Sequence, residues 1–265
     1  MLVLVHAPLS IIDPELLLLA YRDGIFPMSD ARDDPEVFWI EPRVRAILPL
    51  DGFRMSRSLA RTLRRERFAV TCNAAFSQVM DHCAAPRPGE ESGSWISYRI
   101  QASYEQLHAL GLAHSIECWQ NGEDGVPRLV GGLYGVGFDR AFCGESMFSL
   151  VSDSSKVALA WLVAALRRGG AELLDCQFMT EHLESLGAVE IAQDRYLALL
   201  HAAQRDHVAP GAAALGEGDG EGLGAGAGAG LALPDAFGAL LEDAAGAGFA
   251  SSPGKFIAQA LTQTS

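Results

Sequence analysis

Glu145 stands alone among apolar neighbours in FCGESMFS, residues 142 to 149, a run patterned like a strand. Burying an unpaired carboxylate costs several kcal/mol, so this one needs a compensating partner or a task. A second segment, ELLDCQF, repeats the oddity. Asp175 and Gln177 are two residues apart, so on a strand both side chains leave one face while Leu174, Cys176 and Phe178 leave the other. If the two strands approach one another, Glu145, Asp175 and Gln177 form one polar cluster within an apolar sheet, a candidate site. Loop caps or arginine partners for the two acids are the purely structural alternative. Cys143 and Cys176 lie beside these residues, but alternation is expected to turn each away, and no histidine is spaced to activate either. Packing cysteines are expected.

The elements that must position the cluster follow from periodicity and punctuation. HSIECWQ, RLVGGLYGVGF and AFCGESMFS read as successive antiparallel strands, the first two joined by a turn at NGEDG. SDSSKVALAWLVAALRRGG carries apolar side chains at 157, 159, 160, 162, 163 and 166, with Asp153 or Ser152 placed to cap its start and Gly169 to end it, which predicts an amphipathic helix. ELLDCQF is then a strand, TEHLESLG a short helix, AVEI a short strand and DRYLALLHAAQ a closing helix; two further helices are expected near 74–83 and 98–110. Ahead of them lie a helix-like DPELLLLAYRDG stopped at Gly24, a loop-rich stretch and an arginine-rich segment. The expectation is an α+β protein with a small N-terminal α/β domain, 1–68, and a second domain, 69–205, with a mostly antiparallel sheet and flanking helices. Residues 206–265 are expected to be a low-complexity, disordered Gly/Ala-rich tail with at most weak helices in 234–262, because glycines and Pro253 interrupt them. Truncation near residue 205 is expected to leave activity intact.

Charge narrows the partners. The chain has 265 residues and a formal net charge of -13, which disfavours a generally polyanion-binding surface. Between residues 43 and 67, however, Arg43, Arg45, Arg54, Arg57, Arg61, Arg64, Arg65 and Arg67 face only Asp51 and Glu66. Arg57, Arg61, Arg64 and Arg65 share much of one helical face, a patch suited to phosphates or simply a solvated charge run. Five scattered cysteines imply reduced thiols, and the seven histidines show no zinc spacing. The opening residues lack a basic n-region and are broken by Pro8, Asp13 and Pro14, and no apolar run approaches the ~18 to 20 residues that span a bilayer. A cytoplasmic protein is expected, with no membrane and no metal.

GGLYGV, FCGESMFS, SKVALAWL, LLDCQF and HLESLGAVEI, preceded by YRDGIFPMSD, FWIEPR and RSLARTLRR, together resemble the leucyl/phenylalanyl-tRNA-protein transferase family over roughly residues 20 to 200. The resemblance implies a GNAT-like second domain. It further implies transfer of Leu or Phe, and less well Met, from an aminoacyl-tRNA to the N-terminal Arg or Lys of an acceptor protein, marking it for degradation. No cofactor is implied. Asp175, Gln177 and Glu145 match family residues at the reacting centre, Asp175 orienting the Gln177 amide toward the attacking amine and Glu145 holding polar groups of the substrates. Leu133, Phe142, Met147, Leu159, Leu162 and Leu174 match a pocket for the aminoacyl side chain, although plain core packing explains any one of them. Trp39 matches an aromatic that stacks on the terminal adenosine, while Arg57, Arg61, Arg64 and Arg65 match the tRNA-binding face. FWIEPR departs from the usual W-W-S-P-D-P-R of relatives, and SWI at 94 to 96 replaces T-W-I; Trp95 is open to a core reading. Two other readings stay open: a GNAT-type acyltransferase using acyl-CoA, whose R/Q-x-x-G-x-G/A loop SLVSDSSK lacks, and a non-catalytic module that binds tRNA or N-terminal basic residues.

Overall fold

The computed structural model describes residues 11–86, 94–205 and 232–262. The short N-terminal elements are helix α1 (Pro14–Arg22), strands β1 (Phe26–Met28), β2 (Phe38–Ile40) and β3 (Val44–Ile47), and helix α2 (Arg57–Arg64). Strand β4 (Ala69–Cys72) and helices α3 (Phe76–Ala84) and α4 (Tyr98–Ala109) lead into the long strands β5 (Ala113–Asn121), β6 (Pro127–Phe138) and β7 (Ala141–Ser149). Helix α5 (Ser154–Arg168), strand β8 (Leu173–Gln177), helix α6 (Glu181–Ser185), strand β9 (Val189–Ala192) and helix α7 (Gln193–Ala203) follow. The described chain ends in α8 (Leu233–Gly246) and α9 (Pro253–Ala260).

Seven strands form one mixed sheet in the order β4-β5-β6-β7-β8-β3-β9, antiparallel throughout except for β7 and β8, while β1 and β2 form a separate antiparallel pair. The parallel pair needs a crossover, and α5 supplies it. The fold is therefore α+β with a mostly antiparallel sheet. Strand β3 inserts between β8 and β9, so strands from both sides of residue 68 share the sheet.

Each face of the sheet carries its own core. Alternate residues of β6 part company, Leu133 packing with α5 and Tyr134 with Phe76 and Tyr104 of α3 and α4. Helix α5 is buried almost all round because the sheet covers one side and α2, α8 and α9 cover others. Its approach to the sheet requires Gly131, where a Cβ would fall 2.1 Å from the Ser154 hydroxyl oxygen. Asp153 precedes α5, but its carboxylate makes no cap hydrogen bond, contrary to the capping role expected of it.

The C-terminal segment departs from expectation. The expected low-complexity stretch 206–231 lies outside the described residues, but 233–260, expected to be part of a disordered tail, forms two packed helices. Leu233, Phe237 and Leu240 of α8 and Ile257 of α9 join the α5 core, and the Phe237 ring lies 5.3 Å from that of Trp161. Burial of this apolar face outweighs the helix-weakening glycines. Glu66, just after α2, accepts a hydrogen bond from Lys255 N at 3.2 Å, tying the start of α9 to α2. Removing residues 206–265 should therefore destabilise the protein rather than leave it unchanged, and Phe237→Ala alone should cost about 3–5 kcal/mol. Thermal unfolding of both variants checks this; an unchanged Tm in the truncated chain would show that α8 and α9 do not support the core.

Candidate active site at the parting of β7 and β8

The parallel pairing of β7 and β8 lasts for only three residues, Ala141 to Cys143 against Leu173 to Asp175. Beyond Gly144 the strands part, and each carries a bulge at that point. On β7 the partners Tyr134↔Ser146 and Gly135↔Gly144 leave Glu145 as the extra residue; on β8 the partners Ile47↔Asp175 and Ala46↔Gln177 leave Cys176. A bulge re-aims side chains and resets alternation. It puts Phe142 and Met147, five residues apart, with the α5 core, and leaves Glu145 in the gap.

A cavity of about 820 Å³ occupies the gap. Leu133, Met147, Leu159, Leu162 and Leu174 line its apolar part, and Glu145 and Gln177 stand on its polar wall. Five of the six expected pocket residues are thus brought together. Phe142 is not: it is fully buried in the α5 core and does not line the cavity, which corrects its placement as a pocket wall. Cys176 lines the cavity, whereas Cys143 lies on the other face against Asp175. That corrects the expectation that both cysteines turn away from the site. Burial and Asp175 push the Cys143 thiol well above its ordinary range, and burial does the same for Cys176, so both stay protonated.

Asp175 is not itself in the cavity wall. Its side chain is 0% exposed and is met by the equally buried Arg45 in a bidentate pair, Nε to Oδ1 at 3.0 Å and Nη2 to Oδ2 at 2.6 Å. Arg45 also donates to the Gly24 carbonyl at 3.0 Å and to the Tyr196 hydroxyl at 3.2 Å, and its guanidinium lies over the rings of Phe26 and Tyr196. Burial opposes the Arg45 charge, but Asp175 more than offsets it and the proton is held more tightly than in free arginine. Arg45 therefore does not belong to the basic patch in which its sequence neighbours place it. Asp175 also accepts from Tyr196 Oη at 3.0 Å and, through Oδ1, from the backbone N of Gln177 at 2.8 Å.

That last bond fixes an unusual conformation. Gln177 has φ 61°, in the left-handed region that costs a non-glycine residue roughly 1–2 kcal/mol. Its side chain then reaches across the gap, and Nε2 donates to Glu145 Oε1 at 2.8 Å. Asp175 orients the backbone of Gln177, not its carboxamide as expected; Glu145 holds the carboxamide. Because a carboxylate only accepts, it takes the NH₂ end, and no hydrogen bond engages the amide oxygen among the described residues. Tyr104 Oη donates to Glu145 Oε2 at 3.1 Å and is itself hydrogen-bonded to Tyr21 Oη. Burial pushes the Glu145 carboxyl up to about 7; the bonds from Tyr21, Gln177 and Tyr104 oppose that rise and the nearby Asp175 charge adds to it.

The residues expected to bind tRNA lie elsewhere on the surface. Arg57, Arg61 and Arg64 project from α2 and Arg65 follows it, all exposed, while Leu59, Ala60, Thr62 and Leu63 form its buried face. Trp39 is 42% exposed on β2 and does not line the cavity; Met28 of the paired strand and Trp95 do. The residues that sequence reasoning missed are Arg45, Tyr21, Tyr104, Tyr196 and Trp95. For Arg45 a signal existed, since in VRAI one charge interrupts an apolar strand just as Asp175 does in LLDCQ.

Two family models match the chain: leucyl/phenylalanyl-tRNA protein transferase over residues 47–201 and the N-terminal domain of the same family over residues 11–43. A leucyl/phenylalanyl-tRNA–protein transferase of Novosphingobium aromaticivorans is 65% identical over 264 residues, covering 96% of this chain and 97% of that protein. Its match extends beyond residue 205, which the sequence resemblance had placed outside. Proteins of the same name from Rhizorhabdus wittichii and Zymomonas mobilis are each 57% identical, covering 77% and 73% of this chain and 79% and 70% of their own lengths.

Leaving Asp175 buried without its partner should be severe: Arg45→Met should cost about 3–5 kcal/mol in denaturant unfolding. A loss below about 1 kcal/mol, the scale of an exposed pair, would show that this ion pair does not hold the site.

Proposed function

Because this chain belongs to the leucyl/phenylalanyl-tRNA–protein transferase family, we propose that the gap between β7 and β8 is where a leucyl or phenylalanyl ester on tRNA meets an acceptor amine. The enzyme moves Leu or Phe, and less well Met, to the N-terminal Arg or Lys of an acceptor protein and thereby creates a degradation signal. The observation that carries this reading is the Gln177 carboxamide, held by Glu145 at its nitrogen end on the polar wall of a largely apolar cavity.

The chemistry needs a held ester, a neutral α-amine and an outlet for the proton that the amine loses. Leu133, Met147, Leu159, Leu162 and Leu174 receive the aminoacyl side chain; each well-filled group contributes roughly 1–3 kcal/mol of selectivity, and Met147 adapts to branched or aromatic guests. Gln177 Oε1 accepts a hydrogen bond from the amine and aims its lone pair at the ester carbonyl. The C–N bond forms, the ester C–O bond breaks, and the amine proton passes to the departing 3′ oxygen through the adjacent 2′-hydroxyl, since an amide is too weak a base to keep it. Asp175 and Arg45 act through the backbone of Gln177. Glu145 fixes the amide and adds negative charge that favours a basic acceptor terminus.

Trp39 and Trp95 offer aromatic faces to the terminal adenosine, and Arg57, Arg61, Arg64 and Arg65 offer charge to the acceptor-stem phosphates. The β7–α5–β8 crossover, whose parallel strands part at the site, supports a GNAT-like description of this domain. Among the described residues no helix is long and apolar enough to cross a membrane, which fits the proposed cytoplasmic setting.

Purified protein given Leu-tRNA or Phe-tRNA and peptides beginning with Arg or Ala should add one Leu or Phe to the Arg peptide alone, as read by mass spectrometry. Asp175→Ala should abolish the addition, and Gln177→Ala should slow it roughly 100-fold. No addition by folded wild-type protein would overturn the reading. pH gives a second test. Ionised above about 7, Glu145 can only accept and so fixes the Gln177 amide by its nitrogen end; once protonated, its O–H can donate to the amide oxygen instead and that orientation is lost. The acceptor α-amine must also lose a proton near its ordinary ~7.7–8.0. Below pH 7, log(kcat/KM) should therefore rise with a slope approaching two; in Glu145→Gln the slope should fall to one. A slope of one in both proteins would remove Glu145 from this role.

A further inference from the structure

Helix α5 starts at another edge of the same cavity, and its first turn lacks a cap. Asp153 has left-handed backbone, φ 72°, and its Oδ2 accepts from Thr62 Oγ1 of α2 at 3.3 Å instead of meeting the α5 amides. The hydroxyl of Ser154 is turned away to the carbonyls of Val130 and Val151 at 2.9 and 2.8 Å. The amides of Ser155 and Lys156 precede the first intrahelical bond, Val157 N to Asp153 O, and have no partner in the helix. Ser155 is only 5% exposed, lines the cavity, and its hydroxyl makes no hydrogen bond among the described residues. Lys156 lines the cavity beside it. Burial first, and the charge of Lys156 second, hold His182 of the cavity wall below its ordinary value.

Two amides without helical partners at the positive end of a 15-residue helix, a hydroxyl open to the cavity on an otherwise buried side chain, and an ammonium make a set of donors for a tetrahedral oxyanion. Asp153, the acid beside them in this part of the described wall, has one carboxylate oxygen engaged by Thr62. The surroundings indicate the source of that anion. Thr62 sits on the buried face of α2, and Arg67 Nη1 reaches the Ser152 carbonyl at 3.5 Å, so the exposed arginine helix abuts the first turn of α5. Arg57, Arg61 and Arg64 leave the exposed face of that same helix, so their charge lies one helix width from Ser155 and Lys156.

We infer that Ser155, Lys156 and the amides of the first α5 turn form a phosphate subsite that grips a phosphodiester of the donor's single-stranded 3′ end, just outside the place of the esterified nucleoside. The inference rests on the transferase reading and adds a specific contact to it.

Three donors separate the two ideas: leucyl-tRNA, the leucyl ester of the dinucleotide CpA with one phosphodiester, and leucyl-adenosine with none. In Ser155→Ala and Lys156→Met, kcat/KM should fall roughly 10- to 100-fold with the first two donors, at least about tenfold more than with leucyl-adenosine. Lys156→Arg should recover most of the loss. Equal losses with all three donors, or no loss with the two that carry phosphate, would overturn the subsite while leaving the transferase intact. Failure of the wild-type protein to use any donor would overturn the transferase reading and the subsite with it.

Discussion

The buried pair of Arg45 and Asp175 is the constraint on which the site depends. Neither charge is tolerable without the other at this depth, and further hydrogen bonds tie the pair to Gly24, Tyr196 and the Gln177 amide. Because one Asp175 oxygen is committed to that amide, Gln177 is held in a backbone conformation that an L residue adopts reluctantly. Strain at one residue is maintained by a network packed around its neighbour. The network thereby converts a structural ion pair into the orientation of a carboxamide facing the cavity.

The second half of the arrangement is topological. A parallel pair inside an antiparallel sheet separates after three residues, and bulges at Glu145 and Cys176 put polar side chains on both banks of the gap. Helix α5, which makes the parallel crossover possible, supplies the apolar floor through Leu159 and Leu162 and places its own amino end at the cavity wall. Sheet, floor and helix end are consequences of a single β7–α5–β8 connection.

Much of this was legible in the sequence because burial leaves a pattern. Lone acids in apolar strands flagged Glu145 and Asp175, and helical spacing located α5 and the leucines on it. What alternation within one strand cannot foresee is the register that pairs Cys143 with Asp175, or the bulge that brings Cys176 into the cavity wall. Arg45 was hidden for another reason: seven arginines close to it in sequence suggested a shared solvent role, and its partner lies 130 residues away. Phe142 shows the limit of matching positions, since a side chain can support a pocket wall from behind without touching the cavity. The C-terminal helices were obscured by glycine content, a local penalty that an apolar surface already present on α5 and α2 overrides.

Strand β3 also governs the order in which the protein can become complete. It leaves the ribosome early, yet both strands that flank it, β8 and β9, begin more than a hundred residues later. Until those strands emerge, Arg45 has no carboxylate to meet and the Gln177 amide has not been made. A nascent chain therefore carries its arginine-bearing helix well before it has any means of using a charged tRNA, and the ability to spend the donor arrives only when synthesis has passed the closing helix.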